Sequence, residues 1–78
     1  MAMNVTTDAI YISTRAAAFA AYERERDLSI KRKERDEFKE GEFERALDTH
    51  RAEYVATMGR AYAEFRGREA RAAIAPFN

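Results

Sequence analysis

Along the second half of the chain, Phe43, Leu47, Tyr54, Met58, Ala61, Phe65 and Ala72 recur at three- and four-residue steps or their sums, with His50 on the same stripe. At ~100° per residue these side chains share one side of a helix. Charged residues, among them Asp48, Glu53, Arg60 and Glu64, occupy most of the remaining surface. The pattern predicts an amphipathic helix over about 43–73 that buries its stripe against another element.

The first half has two apolar sides. Ile12, Ala16, Phe19 and Ala20 form one, and Tyr11, Ala18 and Tyr22 form the other. A helix apolar round so much of its circumference is expected to meet more than one neighbour. Thr6, Thr7 and Asp8 signal its start: a Thr hydroxyl can accept from free first-turn amides, and a carboxylate suits the positive end of the helix dipole. Ala9 to Ile12 is also β-branched and aromatic enough for a short strand. A strand before two helices has the outline of a ribbon-helix-helix DNA binder, but the helices are too long and the charge too balanced for that reading. Helix is preferred from the start.

From Glu23 to Asp48 the composition turns to Glu, Arg, Lys and Asp. Ile30 and Phe38 continue roughly the Ile12–Phe19 side, so the first helix is expected over about 7–39. Gly41, between the two stripes, marks a turn at 40–42. One continuous helix would leave the stripes on different sides with no common core. Gly59 inside the second helix is unfavourable unless a neighbour comes close or a kink is needed. Pro76 stops the second helix before a tail at 74–78, with Ile74 and Phe77 expected to fold back as a plug.

Phe43, Tyr54 and Phe65 are eleven residues apart, as are Tyr11 and Tyr22, and Phe19 and Ile30. Eleven residues is ~3.67 per turn, near the repeat of a straight helix. The expectation is an all-α fold, one small helical domain over 1–78: an antiparallel two-helix hairpin, completed as a dimeric four-helix bundle because a lone pair has one seam and little protected interior.

Composition sharpens that expectation. In 78 residues without Cys, no disulfide can compensate for a small core, and one His without thiolates excludes a zinc knuckle. Fourteen Lys and Arg balance fourteen Asp and Glu. That balance argues against nucleic acid as the partner and for association with self or another protein. No stretch has the ~20 apolar residues of a bilayer span. Asp8 precedes the first apolar cluster, unlike a signal peptide. The chain is expected to be soluble and cytoplasmic.

Candidate chemistry is sparse. His50 lies on the stripe as an interfacial residue, with no second His or Cys at ligand spacing and with Ser13 and Ser29 distant in sequence. The Glu-x-x-His pattern of di-iron bundles and a Gly-rich phosphate loop are both missing. No catalytic, metal or cofactor site is expected. The candidate site is an interface: Ile12, Phe19, Tyr22, Phe43, Leu47, His50, Tyr54, Met58 and Phe65 as the core or dimer stripe. Tyr62, Arg60, Arg68 and Arg71 are candidate partner contacts, with Tyr62 at the stripe edge and partly exposed. Lys31, Arg32, Lys33 and Arg35 are largely cancelled by Glu34, Asp36 and Glu37. Asp36, Glu37, Glu40, Glu42 and Glu44 suggest an acidic tip, opposite an open end made basic by Arg60, Arg66, Arg68 and Arg71.

The expected function is non-enzymatic: a regulator or inhibitor that occupies a surface of a macromolecular partner, of the kind phages and mobile elements encode. A structural subunit that assembles helical bundles is the alternative. A nucleic-acid-associated protein using the C-terminal arginines is a weaker one.

Overall fold

Asp8 starts the first helix. Its backbone is extended (φ −81°, ψ 104°), and its side chain caps the first turn by accepting from the Tyr11 amide at 2.7 Å. The computed structural model describes residues 8–74. Two helices, α1 (Ala9–Glu34, 26 residues) and α2 (Glu42–Ile74, 33 residues), run antiparallel as a hairpin. Among the described residues there is no strand, and Ala9 to Ile12 is helical. Thr6 and Thr7, and the expected plug of Ile74 and Phe77, concern side chains outside those described.

The first helix ends at Glu34, short of the expected Lys39. The cause is a complete C-terminal cap. The Glu37 amide donates to the Arg32 carbonyl and the Asp36 amide to the Lys33 carbonyl, each at 3.0 Å. This is the Schellman arrangement, which requires a left-handed residue between its two bonds. Asp36 fills it with φ 58°. An Asp tolerates that region better than most residues, since its short side chain can bond locally. Gly41, expected to terminate the first helix, instead precedes the second with φ 79°. Its carbonyl accepts from the Arg45 amide at 3.1 Å, opening α2. Glu42 then reaches back to accept from the Lys39 amide at 2.6 Å. The expected turn at 40–42 thus widens to cover 35–41.

The hairpin is long and thin, 62 × 17 × 12 Å, with a radius of gyration of 17.8 Å. A compact chain of this length would have a radius near ~11.5 Å. The reason is that two helices share one seam, and among the described residues nothing lies above or below it.

The seam is an aromatic ladder. Near the chain ends Phe65 meets Tyr11 at 5.4 Å and Tyr62 at 6.1 Å between ring centroids. At mid-length Tyr54 meets Tyr22 at 5.2 Å and Phe19 at 6.1 Å. At the turn Phe38 meets Phe43 at 5.7 Å. Each level receives one of Phe43, Tyr54 and Phe65, so the eleven-residue step is what distributes one aromatic ring per level. Only Tyr11, Ala61 and Phe65 form a buried apolar cluster among the described residues, and it sits at the open end. Gly59 meets nothing that its missing Cβ would obstruct, so no close approach accounts for it.

Candidate functional site

The two apolar sides of α1 have different fates. Tyr11, Ala18 and Tyr22 turn towards α2. Ile12, Phe19 and Ile30, which fall within ~20° of one another on the helical wheel, lie about a quarter-turn away. They remain between 38% (Ile30) and 48% (Phe19) exposed. On α2 the expected stripe divides similarly. Phe65 is buried, Phe43, Leu47, His50, Tyr54 and Met58 are half-buried, and Tyr62 and Val55, on the flank, are 48% and 62% exposed.

Because the helices are antiparallel, rotation in the same sense from each seam leads to the same side of the pair. Ile12, Phe19, Ile30, Val55 and Tyr62 therefore occupy one face of the hairpin. Among the described residues, the large exposed apolar side chains on the opposite face are Ile10 and Leu28. On the first face, Ile12, Arg15, Ala16, Phe19 and Tyr54 line an open depression of about 440 Å³. On the second, a smaller one of about 150 Å³ lies between Ala18, Ala21 and Glu25 of α1 and His50, Glu53 and Thr57 of α2.

Ser29 and His50 stand together, Oγ to Nε2, sharing a hydrogen bond of 3.0 Å. Sequence distance hid this pair, yet Ser29 lies eleven residues beyond Ala18 on the seam. Ser29 is 5% exposed, and His50 Nδ1 is buried with no hydrogen-bond partner among the described residues. A serine nucleophile needs access to substrate and a base oriented from its far nitrogen. Here the far nitrogen is empty-handed and the hydroxyl is covered. Sliding either helix by a turn would break the pair and strand the buried Ser29 hydroxyl at ~1–3 kcal/mol, so the bond favours this register.

The second polar contact spans the open end. Arg68 donates from Nε to Asp8 Oδ2 at 3.1 Å and from Nη2 to Oδ1 at 2.8 Å, a forked pair. The Asp8 side chain is 6% exposed and the Arg68 side chain 20%. The Arg68 hydrogen bonds, followed by the Tyr11 amide, hold the Asp8 carboxyl below its ordinary range. Asp8 in turn raises Arg68. Arg68, a candidate partner contact on sequence, is thus engaged within the chain. Arg60 and Arg71 are exposed, and Arg60 donates to Thr57 Oγ1 at 3.2 Å.

The tip is not the acidic pole expected. With α1 ending at Glu34, Lys31, Arg32 and Lys33 sit in its last turn beside the carboxylates that follow. Glu37 is held between Arg35 at 2.6 Å and Arg32 at 3.4 Å. The Arg35 hydrogen bond, before the smaller effect of Arg32, lowers the Glu37 carboxyl from its usual value. Opposite charges there cancel locally instead of building a field.

Among the described residues no group of His and carboxylates stands in a metal-binding cluster, and no helix is long and apolar enough to cross a membrane. Compared with protein-family models, curated proteins and solved structures, the chain matches none. What the geometry defines is an all-α hairpin with one apolar face left uncovered.

Proposed function

We propose that this chain is a non-enzymatic helical docking protein that pairs with itself as a four-helix bundle and acts by covering a surface of another macromolecule, as a regulator or inhibitor. One observation carries the reading. The hairpin exposes 6098 Å² of surface. A compact monomer of 9.0 kDa would expose about 4,900 Å². The excess, on the order of 1,200 Å² per chain, is comparable to the ~800 Å² that each partner buries in a standard stable interface. Exposed Ile and Phe supply the apolar part of that surface.

Light scattering across a concentration series tests this. A mass of twice 9.0 kDa, held on dilution to micromolar concentration, is the expected result. A monomer that melts cooperatively at high concentration would overturn it. Mass that keeps rising beyond the dimer would favour a structural assembly subunit instead.

A further inference from the structure

We infer that the face bearing Ile12, Phe19, Ile30, Val55 and Tyr62 is the surface between two copies of this chain, with α1 of each copy laid on α2 of the other. The inference rests on the dimeric reading above and adds the face and the arrangement.

The choice of face follows from what each side presents. Among the described residues, five large exposed apolar side chains lie on this face and two, Ile10 and Leu28, on the other. The five are also spread along the hairpin, from the open end at Ile12 and Tyr62 to Ile30 near the tip. The depression between Ile12, Arg15, Ala16, Phe19 and Tyr54, with one charged residue at its edge, offers a hole for a side chain from an opposing helix. The other face has its depression flanked by Glu25 and Glu53, two carboxylates that a second copy would have to desolvate together.

The arrangement follows from level and charge. Within one hairpin, Tyr11 stands level with Phe65, and Tyr22 with Tyr54. A two-fold axis along the hairpin keeps those levels and sets α1 against α2 of the second copy. Ile12 then meets Tyr62, and Phe19 meets Val55. Nearer the tip, Arg26 comes level with Asp48 and Lys33 with Glu44. Neither Asp48 nor Glu44 forms an ion pair with the described residues of its own chain. An axis across the middle of the hairpin would instead lay α1 on α1; Ile12 would then meet Ile30, but Phe19 would meet Glu23 and Tyr62 would meet Asp48. The first arrangement pairs apolar with apolar or opposite charges at each of these levels except that of Ile30, which comes beside Glu44, and it leaves fewer mismatches than the second.

The test compares Phe19→Glu with Leu28→Glu by sedimentation equilibrium. Both positions are about half exposed in the single chain. Because Phe19 also packs its ring on Tyr54, Val55→Glu on the same face, which breaks no ring contact, is run beside it. That variant should dissociate the dimer as strongly, with helical circular dichroism unchanged. Phe19→Glu places two unpaired carboxylates in the proposed interface and should raise the dimer dissociation constant at least ~100-fold. Leu28→Glu should change it less than ~3-fold. Mixed chains carrying Phe19→Cys and Val55→Cys should oxidise to a mixed covalent dimer, and Phe19→Cys alone should not. Dissociation by Leu28→Glu with Phe19→Glu still dimeric would overturn the inference while leaving the dimeric reading standing. Self-crosslinking of Phe19→Cys would overturn the arrangement. A wild-type chain monomeric at every concentration would remove the reading beneath it.

Discussion

At the open end of the hairpin, Phe65, Ala61 and Tyr11 exclude solvent, and the forked Asp8–Arg68 pair joins the start of α1 to the last third of α2. At the tip, Phe38 and Phe43 are half-exposed, the ion pairs face water, and backbone hydrogen bonds define the turn. The difference shows how two helices of unequal length stay aligned. One end is anchored by side-chain burial and a sheltered charge pair. The other is directed by local chain geometry. Damage should therefore be costly at the open end and mild at the tip.

The largest expected effect is Phe65→Ala. With Phe65 2% exposed, truncation should cost roughly 3–5 kcal/mol in chemical denaturation. A loss below ~1 kcal/mol would erase the contrast, since it would mean that the open end is no better packed than the tip.

Next comes Asp8. Its carboxyl is lowered in the folded chain, so its stabilisation is fully present above the ordinary value of 3.8 and is lost as pH falls through the folded value. Thermal midpoints of the wild type should fall over that acid range, and Asp8→Ala should flatten that dependence while lowering the midpoint at neutral pH. An unchanged acid profile in the variant would show that the open-end pair contributes nothing.

At the tip, Asp36→Gly should stabilise by about 0.5–1 kcal/mol, because Gly adopts the left-handed conformation without steric cost. Loss of stability there would mean that the Asp36 side chain is needed. The smallest effect is expected for Arg32→Ala. Its guanidinium lies over the Phe38 ring at 4.4 Å and reaches Glu37, but both partners in that ion pair are exposed. Such contacts are worth little in water, so the change should stay within ~0.5 kcal/mol by denaturation. A larger loss would make the tip an anchor in its own right.

Periodicity made much of this legible. The stripe through Phe43, Tyr54 and Phe65 could be read as one side of a helix because side-chain direction follows the backbone screw alone. The helix start near Asp8 was legible for a similar local reason. The α1 end was not. Ile30 and Phe38 continue one stripe in the sequence, whereas a cap built on Asp36, without the Gly that usually marks one, ends the helix before Phe38. Ser29 with His50, and Asp8 with Arg68, were also hidden. Each pair joins residues far apart in the chain, and no spacing rule connects them.

The order of apolar and charged residues by itself determined that this chain makes two amphipathic helices, since that depends on local propensity and the ~3.6-residue turn. It left α1 with two usable apolar sides. Only the tertiary structure decided that the Tyr11–Tyr22 side meets α2 and the Ile12–Phe19–Ile30 side stays open. Two antiparallel helices have one seam, and its rotation is set jointly by ring packing against Tyr54 and Phe65, by the Ser29–His50 bond and by the Asp8–Arg68 pair. None of those constraints exists until the second helix is in place.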